Sequence, residues 1–150
     1  MDRPVKPQSE NDNDSDWAIL FATWLLAAGA TLGSLFFSEV MELTPCTLCW
    51  MQRIFMFPLA IILLSGLFPF DRSVVRYALP LSATGAAVAT YHLLLQLGAI
   101  PESAAPCRQG VSCSEAQLAI FGFVSIPLLS LIVFSSVSGM LVWLKRRQSP

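Results

Sequence analysis

Pro45-Cys46-Thr47-Leu48-Cys49-Trp50-Met51-Gln52-Arg53 puts two cysteines, two residues apart, where a short polar loop runs into a long apolar segment. Pro45 cannot continue a preceding helix and disfavours helical geometry in Thr44. From Trp50 to Phe68 the chain is apolar and long enough to cross a bilayer. Cys49 is therefore expected near the first turn of a helix, where free backbone N–H groups and the helix dipole favour a thiolate. Arg53 follows four residues on, on the same face and one turn deeper, a cation at membrane depth. A reactive dithiol beside a cation at the water–lipid boundary points to redox chemistry with a lipid-soluble partner.

Working outward, the 150 residues are 55% hydrophobic and only 13% charged, with a mean hydropathy of +0.63. Length alone fits one soluble domain, but the long uncharged stretches exclude it. The net charge of -1 says little about partners, and no basic surface suggests nucleic acid. The expected architecture is an all-α integral membrane protein, a bundle of four transmembrane helices.

Residues 1–16, with Asp2, Glu10, Asp12, Asp14 and Asp16 against Arg3 and Lys6, lack apolar periodicity and read as a disordered acidic tail. There is no basic region of a signal peptide, and the apolar run that follows is too long for one. The first span is Trp17 to Phe37, 21 residues without a charge. Gly29 and Gly33 form a GxxxG in it, which lets another helix approach closely, either within the bundle or across a dimer. The second span covers about 49–68, with Pro58 as an expected kink. Phe70 to Ser73 make a tight connection to the third, about 74–97, which contains Pro80. The longest loop, Gly98 to about Leu118, holds Cys107 and Cys113, and Ser114 to Ile120 suits a short interfacial turn of helix. The fourth span, about 121–144, stops at a basic tail, 145–150.

Orientation follows from Lys and Arg. Arg3, Lys6, Arg72, Arg76, Lys145, Arg146 and Arg147 fall on one side, Arg108 on the other, and Arg53 inside a helix. Seven against one puts both termini in the cytoplasm and both cysteine pairs on the outer, oxidising face.

A disulfide across C-x-x-C closes a small loop and constrains the unfolded chain little, so Cys46/Cys49 reads as a redox couple rather than a staple. Cys107 and Cys113 fit either a structural clip or, beside a redox couple on the same face, a relay. Ten residues separate Cys107 from Leu97, a reach of roughly 30 Å if extended, ample to deliver a sulfur to Cys46. A four-cysteine zinc site is a third reading, disfavoured by the C-x5-C spacing and by competition from disulfide formation. No metal is expected.

Arg53 either snorkels to the headgroups or holds a thiolate or a reduced, anionic acceptor. His92, about 7.5 Å below the outer end of helix three, matches Arg53, about 6 Å below Cys49. It is either a packing residue or a second ligand to that acceptor, and Gln96 shares its face. Trp50, Met51, Phe55 and Phe57 could flank a flat ring, and equally suit an aromatic belt and core.

The stretch 45–58, Pro-Cys-Thr-Leu-Cys-Trp-Met-Gln-Arg-Ile-Phe-Met-Phe-Pro, resembles the signature of the disulfide bond formation protein B (DsbB) family, closer to its shorter BdbC-type members than to the long-loop enterobacterial form. Pro106-Cys107-Arg108-Gln109-Gly110-Val111-Ser112-Cys113-Ser114 is similar to the second cysteine loop of the shorter type, and 121–127 to the helix after it. The resemblance covers about 17–144.

What it implies is a thiol oxidase of the bacterial plasma membrane, an electron-transport enzyme of protein folding. Its partners would be the membrane quinone pool (ubiquinone or menaquinone) and a thioredoxin-fold, DsbA-like dithiol oxidase that it reoxidises. By matching position, Cys107 would be attacked by the partner's thiolate. Cys113 would resolve that mixed disulfide and exchange with Cys46, Cys49 would face the quinone, and Arg53 and His92 would bind it. With five residues between Cys107 and Cys113, the large loop rearrangements proposed for longer members are expected to be curtailed. A DsbA-like oxidant has a potential near about -120 mV, so regenerating it needs a stronger acceptor. The sequence carries no flavin, haem or nucleotide motif, so that acceptor comes from outside.

Two other readings stand beside this one. A reductase similar to the vitamin K epoxide reductase family also has two cysteine pairs in a small helical bundle, but places C-x-x-C late in the chain. A membrane scaffold with structural disulfides has no use for Arg53 beneath Cys49.

Overall fold

Uncharged runs of bilayer length form four helices: α1 (Glu10–Glu39), α2 (Thr47–Ser65), α3 (Val74–Gln96) and α4 (Ile126–Gln148). The computed structural model describes residues 10–101, 103 and 125–148. Cys107, Cys113, Arg108 and the turn of helix expected over 114–120 lie outside them. All four helices are long and apolar enough to cross a membrane.

The ends differ from expectation for local reasons. Residues 10–16, expected in a disordered tail, are the first turns of α1, where acidic side chains meet the positive end of the dipole. α2 starts two residues before Cys49 and ends at Ser65, because the Gly66 N–H turns back to Ile62 O and Leu64 O. It runs unbroken through Pro58, as α3 does through Pro80. The Asp71 carboxylate accepts from Ser73 N–H at 2.8 Å and Ser73 Oγ at 2.6 Å, fixing the turn into α3. α4 continues past Leu144 through Lys145, Arg146 and Arg147, cations at the negative end of the dipole.

The helices pack as a closed ring, each against its neighbours in sequence and α1 against α4. Leu20, Leu59, Leu63, Phe134, Val137 and Leu141 fill the centre, while Leu32, Ile54 and Ile61 face outward, as lipid contact requires. Gly29 and Gly33 meet nothing within 4 Å of where a Cβ would stand. The GxxxG is therefore not a close crossing within the bundle. That role falls to Gly85 of α3, where a Cβ would lie 2.2 Å from the Phe134 ring of α4. Nearby, Ser138 Oγ donates to Ser82 Oγ across the same pair at 3.0 Å, a polar contact of the kind that holds helices together in lipid.

At the end of the bundle carrying the α2–α3 turn and the α4 C-terminus, Asp16 is buried, 3% exposed. Arg72 approaches it at 3.1 Å and Arg147 at 3.3 Å. One carboxylate thus ties α1, the α2–α3 turn and α4 together. Asp16 is shielded while Arg72 is partly and Arg147 well exposed, so removing the carboxylate strands mainly Arg72, at a cost of about 1–2 kcal/mol. Asp16→Ala is expected to lower the thermal unfolding midpoint of the detergent-solubilised protein, with Asp16→Asn intermediate. Unchanged midpoints in both would show that the cluster carries no stability.

Candidate active site

The opposite end is built by the last turns of α1 and α3, the first turns of α2 and α4, and the loop between α1 and α2. Glu42 adopts a left-handed backbone, φ 53°, reversing the chain so that Leu43, Thr44 and Pro45 fold over the bundle. Cys46 follows in an extended conformation (φ -70°, ψ 168°) and is the N-cap of α2. Its Sγ accepts from the Cys49 N–H at 3.3 Å, so the sulfur that takes up an orphan N–H of the helix is that of Cys46. Cys49 Sγ lies 2.7 Å from it, close enough for dithiol and disulfide to interchange with little movement.

The Cys46 thiol is drawn well below the ordinary thiol range. The hydrogen bond with the Cys49 thiol is the largest cause; burial opposes it, and His92 and the Cys49 N–H add to it.

His92 is completely buried. It reaches Cys46 from α3, with Nε2 at 3.8 Å from Sγ. Its Nδ1 lies 3.2 Å from Gln52 Nε2, and Gln52 is itself buried. Sequence reasoning passed over Gln52, although an uncharged amide inside an apolar helix needs a buried partner, which is a signal in itself. Gln96, on the His92 face, has its buried Oε1 unpaired among the described residues.

Arg53 turns the other way. Its Nε donates to Ser34 Oγ and its Nη2 to Ser34 O, both at 2.7 Å, and the guanidinium lies over the Trp50 ring at 5.3 Å. The charge is thus held against α1. Nothing in the sequence around Ser34 marks it as the partner of Arg53, 19 residues on.

Between α1, α2 and α4 is a cavity of about 530 Å³. Gly33, Phe37, Met56, Phe57, Leu129 and Phe134 give it apolar walls; Ser34, Cys46, Cys49, Gln52 and Arg53 converge on it. Of the α2 side chains that could flank a flat ring, Phe57 lines it, while Trp50 and Met51 are exposed and Phe55 packs on the core. His92 is not among its lining residues. His92 meets Cys46 and Gln52, Arg53 meets Ser34, and the two do not meet the same space.

An apolar cavity with a dithiol and a fixed cation on one wall suits a flat, weakly polar redox ring. The ligand atoms of Cys46, Cys49 and His92 also lie within 4.8 Å of one another, donors of the kind that thiophilic metals take. The four-cysteine alternative involves residues outside those described.

Comparison with known proteins gives a match to the family described as "Disulfide bond formation protein DsbB" over residues 16–144. The chain is 47% identical over 135 residues to a "Probable disulfide formation protein" of Metapseudomonas resinovorans, covering 89% of this chain and 94% of the relative. It is 42% identical over 130 residues to "Disulfide bond formation protein C" of Bacillus subtilis, covering 87% and 94%. No solved structure matches.

The Cys46 environment makes a pH prediction. A lowered folded value means that the thiolate persists below the ordinary thiol range and is lost only as pH falls through the lowered value. In a reduced Cys107→Ser/Cys113→Ser protein, ultraviolet thiolate absorbance should show about one thiolate per chain near pH 6, where an ordinary thiol is protonated. A single transition near the ordinary value would contradict the geometry.

Proposed function

The chain belongs to the disulfide bond formation protein DsbB family and is a multi-pass membrane oxidoreductase that forms disulfides, and from that premise we propose that it passes electrons from a thioredoxin-fold, DsbA-like dithiol partner to a membrane quinone. The observation that carries this is the cavity, with the Cys46/Cys49 dithiol and Arg53 on its wall. A quinone supplies a two-electron, two-proton acceptor. The residues present fit one: the walls take a flat ring, Cys49 lines the space, and Arg53 offers a fixed positive charge beside it.

The chain's own residues then divide the work. The partner's thiolate attacks Cys107 and releases Cys113 as a thiolate. Cys113 attacks Cys46 of the Cys46–Cys49 disulfide, and the partner's second thiol resolves its mixed disulfide with Cys107. Cys49 is left as the thiolate facing the cavity. Arg53, fixed by Ser34, favours negative charge there, and the apolar walls exclude water. A reductase of the vitamin K epoxide type and a non-enzymatic scaffold are not carried forward, because the family is one of disulfide-forming enzymes.

The redox end is proposed to face outward from a bacterial plasma membrane, with both termini in the cytoplasm. The support is charge: Arg72, Arg76 and Lys145–Arg147 lie at the other end. An impermeant thiol reagent, applied after reduction, should reach the cysteines from outside only.

The deciding experiment is turnover of a reduced thioredoxin-fold oxidase by purified protein with added quinone. Cys49→Ala is expected to abolish it; undiminished turnover would refute the mechanism. Arg53→Ala should raise the KM for quinone with the helices still inserted. Gly33→Leu is the sharper probe, because Gly33 lines the cavity with open space where its side chain would grow. It should raise that KM at least about tenfold while unfolding is unchanged. Unaltered KM in both variants would place the quinone elsewhere.

A further inference from the structure

We propose that His92 is a catalytic residue for the sulfur of Cys46, holding it as the leaving thiolate in thiol–disulfide exchange, and that Gln52 is the positioning residue that sets the His92 tautomer. The inference rests on the thiol-oxidase reading above and assigns His92 to the sulfur side of the site instead of the quinone side.

The geometry runs in one line across two helices. The Gln52 amide nitrogen stands 3.2 Å from Nδ1 of His92 and donates to it. A ring that accepts at Nδ1 carries its proton at Nε2 when neutral. That Nε2 is the atom 3.8 Å from Cys46 Sγ, within reach of a hydrogen bond to sulfur. Gln52, His92 and Cys46 are all buried, so the chain is shielded from water that would otherwise satisfy each group. Burying an amide and an imidazole among apolar residues is costly unless they pair, and this pairing ends on a reacting atom. His92 is absent from the cavity wall, whereas Cys49 lines it. The two sulfurs therefore have different neighbours: Cys46 looks to His92, Cys49 to the cavity.

The step is balanced without a further reagent. Once Cys113 has joined Cys46 in a Cys46–Cys113 disulfide, the Cys107 thiolate attacks Cys113. The new S–S bond forms there, the old one breaks, and its electron pair stays on Cys46 Sγ. The incoming sulfur is oxidised, Cys46 is reduced, and no proton moves. The Nε2–H of His92 stabilises the charge that appears on Cys46, and a hydrogen bond to a charged group is stronger than one to a neutral thiol.

The test uses the full chain in detergent with two readouts. One is the equilibrium constant of the Cys46–Cys49 couple against glutathione, measured in a Cys107→Ser/Cys113→Ser background, which needs neither quinone nor partner. The other is steady-state turnover with a reduced thioredoxin-fold partner and quinone. His92→Leu should disfavour the reduced dithiol about tenfold, a potential about 30 mV more negative. It should lower kcat by at least a similar factor with the KM for quinone unchanged. His92→Gln, which keeps an N–H donor, should recover most of both. Gln52→Leu should shift the couple in the same direction by less.

An equilibrium constant within twofold of the parent in His92→Leu and Gln52→Leu would overturn the proposal. A raised quinone KM as the sole effect of His92→Leu would also overturn it, returning His92 to the quinone. If His92→Leu does not fold, His92→Met removes the donor with a more adaptable side chain, and Gln52→Leu reads the same coupling with His92 present. Failure of the parent protein to turn over would instead count against the thiol-oxidase reading, and the glutathione equilibrium would still decide the role of His92.

Discussion

A helix that begins at a membrane surface must pass its first N–H groups to some acceptor, and here one of them goes to a sulfur. Pro45 stops any earlier helical turn, Cys46 takes the capping position, and Cys49 falls one turn on with its sulfur against the cap. Helix initiation and the dithiol are therefore one piece of structure. The remaining features supply what that arrangement lacks: a roof from the reversed loop at Glu42, a wall from α1 and α4, and polar neighbours for the two sulfurs.

Those neighbours are divided between helices. α3 brings His92 to Cys46, and α1 brings Ser34 to Arg53 on the cavity side. α2 stands between them and carries both cysteines, Gln52 and Arg53 within two turns. The helix–helix contacts that fix the bundle also fix these distances: Gly85 seats Phe134 between α3 and α4, and Phe134 in turn lines the cavity.

Run length made the four spans readable, since 21 uncharged residues have few alternatives to a membrane crossing. Their ends were less readable. Asp16 looked like part of a solvated tail because its partners, Arg72 and Arg147, lie far along the chain. The same division holds at the site. Cys46, Cys49 and Arg53 were legible because spacings of three and four residues on one helix fix their relation locally. Gln52 and His92 are 40 residues apart, and only packing of α2 on α3 shows that they meet. Depth along the helices could not say which side of α2 His92 would face.

The cavity lies along the seam between the first and last helices, which is clasped at the far end by Asp16 and Arg147. The α1–α4 seam is thus tied at one end and parted by the cavity at the other. The α1 and α4 residues that line the cavity, Gly33 and Leu129 among them, sit on different helices from the sulfurs and from His92. Substitutions there can retune which molecule fits without disturbing the sulfur chemistry. Under the proposed quinone reading, a lineage could change its electron carrier and keep its thiol partner.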